Sequence, residues 1–401
     1  MKLNRLIAFC LALVLAFGLV ACGSKTPAAS KDPTPSAAPS AAPSSAPSAA
    51  PSTAPTAEPT AEPTPTPSEN VASGSDLEPY PGLDDPSIAS DSDLNPYAPG
   101  GSLTEIKLTV LSGPTGVGAV KLLADSIMGL TANAYNFSIA SDNSQLVAGL
   151  SNGDIDIATM ASNMALNLYN KTDGDVQIIA LGTLGVLHIL EGSNGTSVKS
   201  VADLKGKTIY SVGQGANPEY ILRYILTKNG IDPDKDVDII FAEPAEITQK
   251  LLSGTIDVAL LPVPAATTAI SKSAGSVRSA IDLTEAWSKA SGGSQLIMTA
   301  VVARTEFVRN NPAAVAAFLK EYEASIRYTS TNLDDAAQLV YDFGLVPSAA
   351  IAKQAIPQCN LVFISGKDMA PAISNYFAAL YELDPASVGG ALPDDGIYYV
   401  P

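Results

Sequence analysis

From Leu103 onward, short β-rich runs alternate with runs whose apolar residues recur at helical spacing. Ile106 to Leu111 forms a β-rich run that breaks at Ser112-Gly113-Pro114-Thr115-Gly116, after which Val120, Leu123, Ala124 and Ile127 fall on one helical face. Tyr135–Ala140 reads as a second strand, Ser144–Leu150 as a helix and Ile155–Thr159 as a third strand. Ser162 is expected to cap a helix running to Tyr169, and Val176–Thr183 makes a fourth strand. Strands alternating with helices predict an open parallel sheet covered on both faces.

The pattern then restarts. Val186–Leu190 is a strand, and Asp203-Leu204-Lys205-Gly206-Lys207 leads into a strand over Thr208–Val212. A helix runs to Lys228, with Asn217 expected as its cap and Pro218 as its first residue. Val237–Phe241, a helix over Ala245–Leu252, Ile256–Leu261 and a helix after Pro264 follow. One more apolar strand spans Leu296–Ala303, and beyond it the pattern is mainly helical. Two α/β lobes, with a helical tail returning to the first, account for this order.

The first hundred residues obey neither period. Lys2 and Arg5 precede an apolar stretch from Leu6 to Val20, too short to span a bilayer comfortably. Leu19-Val20-Ala21-Cys22, followed by Gly23 and Ser24, resembles a bacterial lipobox, in which the cysteine is lipidated and becomes the new N-terminus. Residues 24–67 are Pro-Ser-Ala-Ala and Thr-Ala-Glu-Pro repeats, and 68–101 turn acidic at Asp84, Asp85, Asp91 and Asp93. Such a stretch cannot bury a core and reads as a spacer with no partner of its own. Extended at about 3.1 Å per residue it reaches on the order of 200 Å. The expected divisions are a signal at 1–21, a tether at 22–102, the first lobe at 103–187, the second at 188–293, and the return with C-terminal helices at 294–401.

Composition removes several function classes. Without Lys2 and Arg5 the chain holds 21 basic against 40 acidic residues, a net charge of −19, which repels phosphate backbones and argues against nucleic-acid binding. The same charge gives no attraction to an anionic lipid surface, so a membrane location depends on the acyl anchor. Cys359 is the only cysteine outside the signal and lipid site, which excludes a disulfide or a cysteine-based metal site in the folded part. With His188 as the sole histidine, triad and thiol chemistry lack their parts. His188 and Glu191 sit three apart on a strand and face opposite ways, so they are not expected to share a metal. Asp154, Asp156, Asp394 and Asp395 read as solvated loop carboxylates, and Trp287 as packing.

In open α/β sheets, ligands bind outside the carboxyl ends of the strands. Four loops occupy such places: Ser112, Gly113, Pro114, Thr115 and Gly116; Ala161, Ser162 and Asn163; Gln214, Gly215, Ala216 and Asn217; and Pro262 with Pro264. Each would set a helix N-terminus, with its unpaired N–H groups, at the cleft. None contains Arg or Lys, so a small polar solute with several acceptor atoms is expected, and an anion would need an arginine from elsewhere, such as Arg223. Gly113, Gly116 and Gly118 lack dinucleotide spacing, and no Walker lysine motif is present.

Several segments resemble one superfamily. Leu150-Ser151-Asn152-Gly153-Asp154-Ile155-Asp156-Ile157-Ala158 and Leu252-Ser253-Gly254-Thr255-Ile256-Asp257-Val258-Ala259 are similar to the paired Gly-x-Ile-Asp-Ile-Ala steps of ABC-transporter solute-binding proteins. The nearest type is nitrate/taurine/aliphatic-sulfonate and thiamine-pyrimidine (NMT1/THI5-like). Asp203–Ile209, Thr305–Asn332 and Leu392–Tyr399 look like the same family, so the resemblance covers 103–401. It implies a type 2 periplasmic-binding-protein fold, with two α/β lobes joined by a two-strand hinge near 184–192 and 294–303. It further implies a monomeric, lipid-anchored receptor on a Gram-positive cell surface, needing no cofactor or metal, that delivers a small-molecule solute to an ABC permease with its ATPase. A ligand sensor and an extracellular carboxylate-dependent enzyme are the competing expectations; the fold's enzymatic relatives are rich in His and Cys, which this chain lacks.

Overall fold

The computed structural model describes residues 103–401; the expected signal, lipid site and tether lie outside the described residues. The first sheet is opened by β1 (Glu105–Leu111), β2 (Ala134–Ala140), β3 (Ile157–Ala161) and β4 (Val176–Thr183), with α1 (Pro114–Ile127), α2 (Asn143–Asn152) and α3 (Ser162–Lys171) between them. β1 pairs in parallel with β2, Glu105 opposite Ala134 through Leu111 opposite Ala140, and with β3 on its other side. Ile106, Leu108 and Val110 of β1 are buried against Phe318, Tyr322 and Ile326. At the turn after β1, Gly113 adopts φ 108°, a value that favours glycine, and Pro114 opens α1 where no backbone donor is needed.

The chain enters the second sheet at β5 (Leu187–Glu191). β6 (Thr208–Ser211), α4 (Asn217–Lys228), β7 (Asp238–Phe241), α5 (Pro244–Leu252), β8 (Val258–Pro262), α6 (Ala265–Lys272), β9 (Arg278–Asp282) and α7 (Leu283–Ser291) follow. It returns through β10 (Thr299–Arg304), then α8 (Thr305–Asn310), α9 (Pro312–Thr331), α10 (Leu333–Asp342), α11 (Ala349–Ala355), β11 (Leu361–Ser365) and α12 (Met369–Leu383). Strand orders are β11-β4-β10-β3-β1-β2 and β7-β6-β8-β5-β9.

The sheets are mixed, not wholly parallel. β10 runs antiparallel to β3 and β4, and β5 antiparallel to β8 and β9. A chain arriving from the opposite sheet starts at the edge where the resident strands end, so it must run against them. Three elements escape the periodicity reading: β9, α7 and β11. β9 shows no buried residue, and the apolar run Leu361–Ile364 of β11 lies at a sheet edge within a stretch whose pattern is otherwise helical.

The repeated Gly-x-Ile-Asp step has a mechanical basis. Gly153 takes φ 82° to end α2, and the Ile155 N–H returns to Gly149 O at 2.9 Å, so 154–156 belong to the turn and β3 starts at Ile157. A side chain at Gly149 would meet Ile155 Cδ1 at 2.4 Å. Asp156 is buried rather than a solvated loop carboxylate: it accepts from Lys107 N–H at 3.0 Å and pairs with Arg304 at 3.5 Å.

Two crossover segments pass side by side between the sheets. Thr183 Oγ1 and Thr299 Oγ1 lie 2.8 Å apart, and Met298 N–H donates to Thr183 O at 3.0 Å. Leu184 N–H donates to Asn360 O, and Asn360 Nδ2 donates to Gly185 O. Gly185 must lack a side chain, because a Cβ there would sit 2.3 Å from Thr284 Oγ1 of α7. The C-terminal helices serve both lobes. α9 packs on α1, where Ser325 Oγ donates to Gly118 O and accepts from Leu122 N–H, whereas α11 rests on α6 and α12 on α4. The return to the first lobe is therefore partial, because the apolar face of α12 seats Tyr376 against Trp287.

Glu191, 3% exposed at the side chain, closes β5 by accepting from Ser197 and from Val198 N–H and by pairing with Arg278. Burial pushes its carboxyl up, but the hydrogen bonds from Ser197, Val198 and Arg278 outweigh that and hold it below its ordinary 4.5. A lowered folded value stabilises above pH 4.5, and the contribution fades as pH falls through the folded value. Glu191→Gln is expected to cost about 1.5–3 kcal/mol at pH 7. In denaturant titrations at stepped pH the gap from wild type should narrow below pH 4.5.

Candidate functional site

The carboxyl ends of β1, β3, β6 and β8 each lead into one of the four loops. The second and third meet directly. α3 and α4 bring their first turns together, and the carboxamide of Asn217 fills the space between. Its Nδ2 donates to Ser162 Oγ at 3.1 Å and to Met298 O, while its Oδ1 accepts from Tyr376 Oη at 2.7 Å and from Asn163 N–H at 3.4 Å. All four groups of that amide's hydrogen-bonding capacity are thus spent inside the seam, where Asn217 is 1% exposed. Burial raises the Tyr376 phenol far above its ordinary value, keeping it protonated and a donor.

Neither polar residue is the cap it was expected to be. Ala161 and Ala216 hold the cap positions, Ser162 and Asn217 are the first helical residues, and Pro218 is the second. The side chains are drawn outward instead: Ser162 Oγ donates to Ile297 O at 2.7 Å, and Asn217 reaches across to the first lobe.

Asn163 is wholly buried, and its Nδ2 lies between Gly215 O at 3.5 Å and Ser387 O at 3.2 Å. Two carbonyls fix which end of the amide points where. Its Oδ1 is then left without a hydrogen-bond partner among the described residues. A buried acceptor in that state costs about 1–3 kcal/mol.

The other two loops do not join this network. Pro114, Thr115 and Gly116 are buried at the start of α1, with Thr115 Oγ1 donating to Leu111 O at 2.5 Å, while Ser112 is exposed and Gly113 half-buried. Leu345 lies over Gly116, 3.1 Å from where its Cβ would be. Pro262 pairs with Leu187, Val263 N–H donates to Val186 O at 2.9 Å, and a cis peptide joins Val263 to Pro264. Gln214 is exposed, Gly215 half-buried and Ala216 buried.

Charge is sparse here. Asp142 caps α2 and Asp282 caps α7 at the same strand ends. Arg223 is unavailable to an anion in the cleft: it is bound to Glu219 at 2.9 Å and Asp234 at 2.7 Å. An open groove of about 770 Å³ runs past these residues, Tyr220 and Asp384, and touches none of the four loops. His188 is half-buried in β5, 3.2 Å from Ser279 Oγ; burial lowers its pKa against the pull of Asp282, so it is neutral at pH 7. The Cys359 thiol, fully buried, is pushed up to about 12. Trp287 is also fully buried, 4.6 Å from the Tyr224 ring and 5.3 Å from that of Tyr376.

Tyr376, Ser387, Met298 and Asn360 were not among the expected site residues. Tyr376 sits in an ordinary helical apolar run, and Met298 and Ser387 act through backbone carbonyls, which no side-chain pattern reveals.

Two lobes, each offering helix N-termini to a shared seam beside two crossovers, define a two-lobed cleft protein of the periplasmic-binding-protein fold. The chain belongs to the NMT1-like family, whose sequence profile matches residues 115–341, more than half of its length. It is 28% identical over 188 residues to a provisionally named binding protein of Brucella abortus, a match covering 47% of this chain and 56% of that one. The chain thus spans about half the length of the curated relatives it matches. Among solved structures, it is similar to an ABC transporter of Parabacteroides distasonis, with TM-score 0.61 and 22% identity over 75% of this chain and 99% of that one. It is also similar to the periplasmic aliphatic sulphonate binding protein of Escherichia coli, with TM-score 0.58 and 17% identity over 72% and 96% of the two chains. At such identities the likeness is one of fold.

Asn217→Ala leaves Tyr376 Oη, Ser162 Oγ and Met298 O short of partners and is expected to cost about 1–3 kcal/mol. Trp287 is the chain's one tryptophan. Its emission should shift to the red as α12 loosens, read alongside the melting temperature.

Proposed function

We propose that the protein is the extracellular, lipid-anchored substrate-binding component of an ABC importer, which captures a small polar solute between its lobes and hands it to a membrane permease with an ATPase partner. The observation that carries this reading is the seam itself. Helix starts from both sheets converge on it, beside paired crossovers that can act as a hinge. A solute that contacts both lobes binds the closed form better than the open one, and that differential affinity drives closure.

The solute class follows from the charge of the loops. None of the four holds Arg or Lys, and the nearest candidate, Arg223, is already paired. Asn163 Oδ1 calls for a donor from the solute. An uncharged polar solute carrying an N–H or O–H fits better than the aliphatic sulphonates named for the E. coli protein. The Cys359 thiol is buried and held protonated, so it offers no ready nucleophile.

Native mass spectrometry of the purified protein, followed by thermal melting with the co-purifying molecule added back, tests the receptor reading. At a hundred times its Kd the solute should stabilise by about 2.7 kcal/mol and be recovered chemically intact. Ethanesulfonate should give no shift. Conversion of the bound molecule would overturn transport in favour of catalysis.

Anchoring at Cys22 is tested separately. Cells fed labelled palmitate should label the protein, and Cys22→Ser should abolish the label and move the protein from the membrane fraction to the medium. Retention of the label would exclude this cysteine.

A further inference from the structure

Large exposed apolar side chains are scattered singly over most of the described surface, at Ile240, Tyr341, Leu392 and Val400. Scattered ones are ordinary. One group is different. Ile127, Met128 and Leu130 are 67%, 59% and 54% exposed, and Leu103 is 43% exposed. The first three occupy the end of α1 and the loop after it, where Leu130 N–H returns to Asp125 O. That loop runs into β2, whose Ala134 N–H donates to Thr104 O at 2.9 Å. All four residues therefore lie at the amino ends of β1 and β2, the edge of the first sheet opposite the cleft loops, and Leu103 is where the chain from residues 1–102 joins it.

That preceding chain is not uniform. From Ser24 to Asp76 it contains no Leu, Ile, Met, Phe, Tyr or Trp. From Leu77 to Ser102 it contains Leu77, Tyr80, Leu83, Ile88, Leu94 and Tyr97. A spacer has no use for large apolar groups, which lower its solubility, and the change comes just before the folded part. Tyr97 lies six Cα–Cα steps before Leu103, a reach of about 20 Å, enough to bring Leu94 and Tyr97 onto the group.

We propose that the segment 77–102 is a docking arm whose Leu94-Asn95-Pro96-Tyr97 covers the apolar surface of Ile127, Met128 and Leu130. Covalent attachment six residues away gives the arm an effective concentration that a separate molecule cannot match. The arm carries Glu78, Asp84, Asp85, Asp91 and Asp93 and no Lys or Arg, so an anionic lipid surface repels it and does not compete for the same face.

The test uses the full chain with Cys10→Ser and Cys22→Ser, which leaves buried Cys359 as its one native thiol. Tyr97→Cys and Met128→Cys are added and mild oxidation is followed with time. An intramolecular disulfide should form, and adding Ile127→Asp, at an exposed position that leaves the fold in place, should slow it at least fivefold. A rate indifferent to Ile127→Asp would mean a freely diffusing arm and overturn the proposal. Intermolecular disulfides whose yield rises with concentration would assign the surface to a second copy. Amide exchange in the chain without added cysteines gives an independent reading. At least tenfold protection across Leu94–Tyr97 supports docking. Exchange at the unstructured rate there, or protection that appears only with added phosphatidylglycerol vesicles, overturns it.

Discussion

Two chain segments cross between the sheets within hydrogen-bonding distance of one another, joined by the hydroxyls of Thr183 and Thr299 and by the Met298 N–H to Thr183 O. Much else depends on this pairing. It makes β5 and β10 run against their neighbours, because each enters its sheet at the edge where the resident strands finish. It sets those edges face to face, so that helix starts from both lobes point at one seam. It also requires a residue without a side chain at Gly185, where α7 presses Thr284 onto the crossover, and a tie from Asn360 to both sides of it. These directional contacts lie beside a continuous apolar core that includes residues of both sheets.

The seam illustrates how a polar residue can be buried without penalty. Asn217 brings four hydrogen-bonding valences into a dry interface and finds a partner for each, from three different elements. Asn163, immediately across from it, satisfies its donors on Gly215 and Ser387 and keeps its acceptor open. The contrast separates structure from recognition within one interface. Asn217 spends its whole amide on the contact between the lobes, while Asn163 Oδ1 has no partner among the described residues. Around them Trp287, Tyr224 and Tyr376 form a packed aromatic block between α12, α7 and α4.

Much of the architecture was legible along the chain. Residues buried on one side of a strand or helix announce themselves by period, so β1, β4, α4 and the alternation of strand and helix follow from the apolar pattern. The Gly-x-Ile-Asp steps were legible too, since a left-handed glycine ends the helix at a fixed distance before the following strand in both. Strand β9 was not, because none of its residues is buried, and the short apolar run of β11 is embedded in a stretch whose pattern is otherwise helical. The capping roles given to Ser162 and Asn217 failed for a related reason: residue preference names what can cap a helix, and a better partner across the seam overrode it.

The sequence by itself determined the alternation of elements, the two-lobe division, the supply of one cysteine and one histidine to residues 103–401 and the lack of cations in the four loops. These are local or compositional properties, fixed by spacing, side-chain type and charge. Only the tertiary structure decided which loops meet and that Asp156 is buried against Lys107 and Arg304. It alone decided that α12 braces the second lobe and that one acceptor in the seam is left open. Each of those depends on groups separated by tens to hundreds of residues, whose hydrogen bonds are made only when folding brings them within about 3 Å.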